Sequence, residues 1–275
     1  MKNSTLKNII KISIGLGFLI PLTKTEKTLA LDACATSDTV TTMAAESNPC
    51  FTTPEMLKVK FYEIGFCTSD PLASGTFDNS TCSKSWDNTS GFTSDIGKKN
   101  YEAMSGNTYR VPNGTYGHAY AILNNEWTYK GKYKFKDGDT FYTRSDGGVT
   151  TDIDSYAEWK DDISNLLGEE STGLCYDYSA STTDGTLTAV LANSNNVTAT
   201  DTSTCESATK VIGSIALNTS LTMDDFITLY RLTWKITNLG IGMTHFNNGS
   251  NQVPNSFRGG PFTPKFSFQR GATGN

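Results

Sequence analysis

His118 and His245 are the two imidazoles of this chain, and histidine is the side chain that most often moves protons near neutral pH. His118 lies in an aromatic run between Tyr116 and Tyr120, where a hydrogen-bonded structural role is its most frequent use. Its aromatic neighbours also make it a candidate ligand-binding residue. The sequence contains no G-x-S-x-G, H-E-x-x-H or P-loop pattern. It therefore gives no support to serine hydrolase or zincin chemistry and identifies no catalytic residue.

Glycan binding and glycan hydrolysis are further chemistries that the residue types allow. Hydrolysis needs two carboxylates whose spacing is set in three dimensions, and the scattered acidic residues leave that possibility open. Glycan binding uses exposed aromatic rings, and Trp127 with Tyr129 is the best-placed pair. Aromatic residues also dominate β-sheet cores, which makes core packing the more frequent role of such a pair. We predict Trp127, Tyr129 and His118 as ligand-binding residues, with core packing as the alternative.

An acidic, glycine-containing stretch is a candidate for calcium binding, because calcium prefers carboxylate and carbonyl oxygens. Its order does not match an EF-hand, and Asp–Gly pairs are common in turns. We predict that the stretch forms turns and that the protein needs no cofactor, with calcium as the alternative. Thermal unfolding that does not respond to millimolar calcium or to chelator would argue against calcium. The aspartates concerned are Asp137, Asp139, Asp146, Asp152 and Asp154.

All six cysteines lie beyond residue 30, and an even number in an exported chain is typical of disulfide cross-links. The sequence has no C-x-x-C or Cys/His spacing that would suit zinc. Pairing of sequence neighbours is the simplest of the many possible sets, since each bond then closes a polar loop. Such a bond stabilises by about 3–4 kcal/mol in the chain-entropy model. The predicted pairs are Cys34–Cys50, Cys67–Cys82 and Cys175–Cys205.

The first 30 residues have the order of a secretory signal peptide. Three lysines precede the apolar run 12–22, which is shorter than the roughly 20 residues needed to span a bilayer. Small side chains at Thr28 and Ala30 predict cleavage after Ala30. A lipoprotein box ending at Cys34 is the alternative, but Asp32 and the distance from the apolar run disfavour it. We predict an exported chain with no transmembrane anchor, located in the periplasm, at the cell surface or outside the cell.

Charge and length restrict the partners and the domain organisation. Removing residues 1–30 takes away five lysines and one glutamate and shifts the net charge from −5 to −9. Such a surface repels phosphates, so no nucleic-acid partner is predicted. Residues 31–55 are predicted as a polar N-terminal arm. Residues 56–275 suffice for one β-sandwich domain or for two subdomains divided near 150–175.

Apolar residues that alternate with polar ones predict strands through this domain. Leu57, Val59 and Phe61 alternate, whereas Ile64 and Phe66 lie one residue out of phase. This slip predicts a β-bulge near residues 62–63. The other predicted elements are a central strand at 116–123, a hairpin turn at Asn124–Asn125 leading into Trp127, a turn at 137–139, strands at 187–192, 211–217 and 226–236, and an edge strand in the tail 261–268.

Residues 68–100 are predicted as a long polar loop held by the Cys67–Cys82 bond. The single predicted helix lies between Ile153 and Leu167, where apolar side chains recur at helical spacing after the capping residue Asp152. Many short strands, one amphipathic helix and long disulfide-clipped loops predict a mainly β fold, an antiparallel β-sandwich.

The run Leu57–Pro71, followed by Asn113–His118, resembles uncharacterised exported proteins of aquatic bacteria. A strand, a long polar insertion and a further strand that begins near Gly114 and Tyr116 also look like exported carbohydrate-binding sandwich domains. The resemblance covers residues 56–135. It implies a carbohydrate-binding type of layout and carries no catalytic residue with it.

These observations predict an exported, non-enzymatic protein with a surface, matrix or adhesive role, whose partners are glycans or other surface proteins. Two alternatives stay open. One is a secreted carbohydrate-binding module or polysaccharide hydrolase. The other is a self-assembling coat or filament subunit, which would form large particles in size-exclusion chromatography.

Overall fold

The computed structural model describes residues 9–13, 49–97, 102–135, 138–163, 178–182, 184–248, 251–260 and 262–270. The protein is mainly β, and its antiparallel sheets pack together in a sandwich-like layout, as the sequence predicts. None of the helices in the described ranges combines the length and the apolar character that crossing a bilayer requires.

Strands account for most of the described residues, and the longest of them carry the alternating apolar patterns. In chain order they are β1 Ile9–Ser13, β2 Cys50–Thr52, β3 Met56–Cys67, β4 Cys82–Asp95, β5 Glu102–Ala103, β6 Asn107–Thr108, β7 Gly114–Asn124, β8 Glu126–Lys130, β9 Lys132–Lys134, β10 Thr140–Thr143, β11 Val149–Thr150, β12 Trp159–Asp162, β13 Tyr178–Ser181, β14 Gly185–Ala192, β15 Lys210–Met223, β16 Ile227–Lys235, β17 Ile241–Asn248, β18 Asn251–Gly259 and β19 Thr263–Arg270. Among the described residues, a 3-10 helix, Ile153–Ser155, and an α-helix, α1 Thr202–Glu206, lie between strands.

The main sheet is built around β3, which has partners along both edges. On one side β3 pairs with β4, and on the other it pairs with β8 through its first residues and with β7 through its last. The order continues from β7 through β15 and β14 to β13. β3 and β7 are therefore central strands, which explains why both are rich in apolar residues.

One face of the main sheet packs against two smaller sheets, ordered β19-β16-β1-β5 and β18-β17-β2. Aromatic rings fill the space between these layers. Phe61 and Trp127 each meet the ring of Trp234 on β16 edge to face, with centroids 6.1 and 5.9 Å apart, and Phe66 contacts Tyr230 at 5.4 Å. The opposite face carries a second apolar cluster around Tyr120 and Ile122, which the segment between β3 and β4 covers.

Several predicted strands are confirmed. The predicted central strand is β7, the alternation from Phe226 forms β16 with Tyr230, Leu232 and Trp234 buried, and the tail forms the edge strand β19. The runs 187–192 and 211–217 lie in β14 and β15. The predicted bulge is also present, because the pairing of β3 shifts register between Phe61 and Glu63.

The predicted helix over 153–167 is wrong for the residues that the structure describes. Residues 153–155 form a single 3-10 turn and residues 159–162 form strand β12, while 164–167 lie outside the described residues. Ile153 is exposed, whereas Trp159 is buried and stacks on Tyr129 at 4.9 Å. The apolar residues recur at helical spacing, but pairing with β8 and the contact between Trp159 and Tyr129 stabilise a strand here instead of a helix.

The predicted hairpin at Asn124–Asn125 is also wrong. A tight hairpin turn needs positive φ, and neither asparagine adopts it. Asn125 instead donates its amide to the Ala208 carbonyl, and β8 continues beside β3 rather than folding back on β7. The predicted turn at 137–139 falls between the antiparallel strands β9 and β10. Gly138 has a φ of 105°, and Asp137 lies outside the described residues.

The predicted polar loop 68–100 contains the 14-residue strand β4, so the loop is limited to the segment before Cys82. Trp86, fully buried, anchors β4 to the core although most of its neighbours are polar. The predicted arm 31–55 also contributes a strand, since β2 pairs with β17. Residues 31–48 lie outside the described residues.

One predicted disulfide is confirmed, because Cys67 and Cys82 are bonded. Cys50 and Cys205 are disulfide-bonded as well. Their predicted partners, Cys34 and Cys175, lie outside the described residues, so these two pairings stay predictions. The confirmed bond joins residues that face each other at the end of the β3–β4 ladder.

Candidate functional site

The predicted ligand pair Trp127 and Tyr129 lies in the core. Only 2% of Trp127 and 3% of Tyr129 are exposed, and Trp127 donates its indole N–H to the Asn124 carbonyl oxygen at 2.7 Å. Phe262 and Trp234 cover the Trp127 ring at 5.1 and 5.9 Å. A ring with no exposed face has no surface on which a sugar could stack, so the structure assigns this pair the alternative role of core packing.

His118 lies on β7 between Cys67 of β3 and Ala216 of β15 and is half-buried. Its Nδ1 atom is buried and has no hydrogen-bond partner among the described residues. The structure does not bring His118 together with Trp127 or Tyr129 as one site. His118 pairs with Cys67 at the end of β3, whereas Tyr129 pairs with Leu57 near its start, and both rings are part of the core. Its ligand-binding role stays a prediction.

Two aspartates of the predicted calcium stretch, Asp146 and Asp152, organise turns. Asp146 accepts the backbone N–H of Gly148 at 2.9 Å, and Asp152 accepts that of Asp154 at 3.0 Å. Within the described ranges no three His, Cys, Asp or Glu side chains gather closely enough to hold a metal ion. Asp137 lies outside those ranges, and calcium binding stays a prediction for the thermal test described above.

A cluster of polar and aromatic side chains occupies the face of the main sheet that is turned away from the sandwich core. We call it the outer cluster. Its members come from β3, β4, β6, β7 and the residue after β6, and they are Glu63, Lys84, Asp87, Asn107, Tyr109 and Tyr120.

The β-bulge in β3 is what places Glu63 in this cluster. Strict alternation after Phe61 would turn residue 63 toward the apolar core. The extra residue, Tyr62, shifts the register so that Glu63 faces outward opposite Ile122 and Ile64 returns to the core. The sequence slip that predicts the bulge therefore also positions an acidic side chain.

Glu63 and Asp87 are direct cross-strand partners on β3 and β4. Two like charges in this position destabilise a sheet. Lys84 resolves the conflict, because its ammonium lies 2.9 Å from a carboxylate oxygen of each. Asn107 adds a hydrogen bond to Asp87 Oδ1 at 2.9 Å. The two carboxylates are thus held together around one cation.

The buried end of the outer cluster is formed by Tyr120, whose hydroxyl donates to Glu63 Oε1 at 2.7 Å. Phe77 covers the Tyr120 ring with centroids 5.5 Å apart. Gly65 makes room for that ring, since a Cβ at this position would lie 2.8 Å from the Ser83 carbonyl oxygen and closer still to Tyr120. A side chain on Gly65 would displace the tyrosine.

The exposed end of the cluster is formed by Tyr109 and Asn107. Tyr109 is 40% exposed, donates its hydroxyl to Asp87 at 3.2 Å, and has the Lys84 ammonium 5.9 Å from its ring centroid. An open aromatic ring therefore lies beside a carboxylate, an amide and an ammonium. This combination offers a stacking surface together with both hydrogen-bond donors and acceptors.

The pKa values of Lys84 and Asp87 in the outer cluster are shifted in favour of their charged forms. Partial burial raises the pKa of Asp87, but hydrogen bonds from Lys84 and Asn107 outweigh it and leave this pKa below its ordinary value. Burial lowers the pKa of Lys84, but its bonds to Asp87 and Glu63 raise it above the ordinary value. Burial and the Glu63 charge raise the pKa of Tyr120. A charged lysine and an ionised aspartate near neutral pH favour recognition over proton transfer.

A second basic and aromatic group continues the same face. The ammonium groups of Lys60 and Lys210 lie 5.4 and 5.0 Å from the ring centroid of Tyr62, and the Tyr62 hydroxyl donates to the Asn124 side chain at 3.3 Å. Burial lowers the pKa of Lys210, and the nearby Glu63 charge opposes this shift. Tyr62 thus extends the polar and aromatic surface from β3 toward β15.

Sequence reasoning missed the outer cluster because its members belong to four separate segments that the fold brings together. Lys84 and Asp87 fall in the stretch predicted as loop. Their three-residue spacing indicates a shared face only when the strand and its bulge are known. The slip at residues 62–63 was the one available signal, since it marks where an acidic residue leaves the alternating pattern.

Replacing Lys84 with methionine should destabilise the protein by about 1–2 kcal/mol at pH 7, because the stem is kept while two facing carboxylates lose their shared cation. The figure is moderate because the Lys84 side chain is 37% exposed. The lowered pKa of Asp87 means that wild-type protein loses this contribution as pH falls through the folded-state pKa. In Lys84→Met the Asp87 carboxylate loses the hydrogen bond that lowers its pKa, so the difference between the proteins should vanish in acid. Urea unfolding at a series of pH values measures it.

Lys132→Met is the matched control, since Lys132 pairs with one carboxylate, Glu55, and both side chains are about half exposed. Exposed pairs of this type contribute about 0.2–1 kcal/mol. A loss for Lys84→Met that is no larger than that of the control, or that persists in acid, would contradict the proposed neutralising role.

Comparison of the chain with protein-family models, with curated proteins and with solved structures finds no match in any of the three. The function must therefore be inferred from the fold and from the outer cluster.

Proposed function

We propose that this chain is an exported, non-enzymatic protein with a surface, matrix or adhesive role, in which a disulfide-bonded β-sandwich supports a recognition surface. The observation that carries the proposal is the set of bonded cysteines: Cys67–Cys82, with Cys50 and Cys205 also in disulfides. Structural disulfides persist in oxidising compartments and are rare in the cytosol. The signal-like first 30 residues support the same destination.

Protein recovered from its native cell tests this proposal. We expect mass spectrometry to find an N-terminus at or near Leu31 and no free thiols, and cell fractionation to place the protein outside the cytoplasm. An intact N-terminus together with six free thiols would overturn export and, with it, the structural role. Hydrolysis of any polysaccharide by the purified protein would overturn the non-enzymatic part.

Carbohydrate binding is the second candidate function, and the exposed end of the outer cluster favours it. Tyr109 offers an open ring, and Asp87, Asn107 and Lys84 offer hydrogen bonds beside it. Sugars present an apolar face and a rim of hydroxyl groups, which match an aromatic ring flanked by carboxylate and amide groups. The polysaccharide-hydrolase variant of this function is less well supported, because a general acid needs a raised carboxyl pKa and that of Asp87 is lowered.

Tyr109→Ala should weaken glycan binding by about 5- to 30-fold, since removal of a stacking ring costs on the order of 1–2 kcal/mol. The free energy of unfolding should fall by about 1 kcal/mol or less, because the side chain is 40% exposed and its hydrogen bond to Asp87 lies at the surface. Binding on a glycan array, followed by titration of the best glycan, measures the effect.

Phe226→Ala is the matched control for Tyr109→Ala, because Phe226 is 48% exposed and lies outside the outer cluster. We expect its glycan binding to equal that of wild type. Equal loss in both variants would point to non-specific aromatic adsorption, and no binding by wild type would remove the carbohydrate proposal while leaving the export proposal in place.

A further inference from the structure

Two half-buried lysines converge on one tyrosine at the border of the outer cluster. Lys60 and Lys210, which we call the basic pair, have their ammonium groups 5.4 and 5.0 Å from the ring centroid of Tyr62. The two positive charges are therefore no more than about 10 Å apart, a separation over which salt screens half-buried charges only in part. Lysine side chains are mostly exposed in folded proteins, so the burial of two of them around one ring is unusual.

Lys60 is held over strand β4. It lies two residues before Tyr62 on β3, and this spacing places both side chains on the outer face of the sheet. Its stem packs over Gly91 of β4, where a Cβ atom would lie 2.9 Å from Lys60 Cγ and closer still to Cε. Among the described residues, neither a hydrogen bond nor an ion pair engages the Lys60 ammonium. Its three N–H donors are therefore open.

Lys210 is held at the start of β15 by neutral oxygens. Its ammonium donates to the Ser194 carbonyl oxygen at 2.7 Å and to Asn196 Oδ1 at 2.8 Å, which leaves one of its three N–H donors open. Glu63 is the nearby carboxylate, but its two oxygens already face donors within the outer cluster. Burial accordingly lowers the pKa of Lys210, and the Glu63 charge opposes this shift without forming an ion pair with it in the described structure.

The basic pair thus carries two positive charges that no carboxylate of the described residues neutralises by direct contact. A half-buried charge without a partner is costly, and an anion would supply the missing counter-charge and accept the open N–H donors. Other lysines of the described residues are paired with carboxylates, and these are Lys58, Lys84, Lys132, Lys160 and Lys265. The basic pair differs from them in being positioned and partly buried without such a partner.

We propose that the basic pair binds the carboxylate or sulfate group of an acidic sugar. The inference rests on the carbohydrate-binding candidate proposed above and names the class of glycan. Tyr62 is followed directly by Glu63, which bonds Lys84, and the Lys84 ammonium lies at the ring of Tyr109. One continuous face therefore carries the stacking ring and the basic pair, so the neutral part of a glycan contacts Tyr109 and its acidic group contacts the two ammoniums.

Net charge limits how acidic this ligand can be. The full chain has a net charge of −5, and the chain without residues 1–30 has one of −9. A densely charged polymer such as nucleic acid is repelled by such a protein. A sugar with one acidic group meets two ammoniums at short range, while salt screens the more distant negative charges. The basic pair therefore fits a sparsely charged glycan.

Glycans that differ only in one acidic group test this inference. On an array of neutral glycans beside the same glycans carrying one uronic acid, sialic acid or sulfate group, we expect the protein to bind the acidic members more tightly. Titration of the best acidic glycan at constant ionic strength gives its Kd. Lys60→Met and Lys210→Met should each weaken binding by about tenfold, the lower end expected for losing a hydrogen bond to a charged group. Lys60→Arg keeps the charge and should keep the binding.

Lys134→Met is the matched control, because Lys134 is exposed on β9 and has no ion pair among the described residues. It removes the same charge and should bind as wild type does. Equal losses in Lys134→Met and Lys60→Met would overturn the inference. So would a lower urea midpoint in Lys60→Met and Lys210→Met with unchanged affinity, since the lysines would then only pack on Tyr62. Inorganic sulfate that competes as strongly as the acidic glycan would overturn the sugar as the source of the anion.

The carbohydrate candidate itself is judged separately, by Tyr109→Ala. Wild-type protein that binds neutral and acidic forms equally, and loses both in Tyr109→Ala, would contradict the anion site alone. Binding of acidic glycans that depends on the basic pair and not on Tyr109 would support the anion site and contradict the stacking role of Tyr109. Absence of binding to every glycan would overturn both.

Discussion

Trp127→Ala should destabilise the protein by about 3–5 kcal/mol, the range for removing a large aromatic side chain from a packed core. The ring is 2% exposed and packs against both Trp234 and Phe262, so its loss leaves a cavity that rigid strands β8 and β16 cannot close. It also deprives the Asn124 carbonyl oxygen of the indole donor. Urea unfolding followed by far-UV circular dichroism measures the loss.

Trp127→Phe separates the two contributions to this loss. It keeps an aromatic ring in the cavity but removes the indole N–H, and we expect it to cost about 1–2 kcal/mol. Tyr109→Ala, which removes a ring that is 40% exposed and lies outside the core, should cost about 1 kcal/mol or less. A wild-type midpoint for Trp127→Ala, with loss of glycan binding alone, would contradict the core placement and restore the predicted stacking platform.

The strand content of this protein could be predicted wherever one face of a strand is buried. Leu57, Val59 and Phe61 alternate because β3 has a core face, and the out-of-phase Ile64 marks a bulge that the structure contains. The alternation from Phe226 likewise corresponds to β16. In these segments burial on one side leaves a period of two in the sequence, and that period is sufficient to identify them.

Two elements could not be predicted, for opposite reasons. β4 has few apolar residues, and only long-range pairing with β3 and the burial of Trp86 make it a strand. The segment from Ile153 has apolar residues at helical spacing, yet the structure exposes Ile153 and buries Trp159 in a strand. The spacing of residues within a segment does not show which strand will pair with it. The partner strand determines the secondary structure both of β4 and of the segment from Ile153.

The outer cluster shows the same limit for functional residues. Glu63 and Asp87 are 24 positions apart in sequence, and their facing arrangement depends on the register of β3 and β4. Trp127 and Tyr129 were conspicuous as aromatic residues but are buried, whereas Tyr109 is exposed beside charged groups. Residue type indicates candidates for binding, but exposure decides among them, and exposure depends on the packing of distant strands.

Replacing both Cys67 and Cys82 with serine should lower the free energy of unfolding by about 3 kcal/mol. The two residues are 15 positions apart, and a cross-link closing a loop of this length restricts the unfolded chain by about that amount in the chain-entropy model. Both residues are replaced so that no single thiol remains to mispair with the other cysteines. Urea unfolding of the oxidised proteins measures the difference.

The folded state should change little in this double variant, because other contacts hold the loop that the bond closes. Leu72 is buried, Phe77 packs on Tyr120, and the Phe77 backbone N–H donates to Thr198 Oγ1 at 3.1 Å. The loss should therefore appear mainly as slower folding and a larger dependence of stability on urea, since the variant's unfolded chain is more expanded. A loss seen mainly as faster unfolding would show instead that the bond supports the native contacts of the loop over Tyr120. In that case, Leu72→Ala would destabilise the double-serine variant less than it destabilises the wild-type protein.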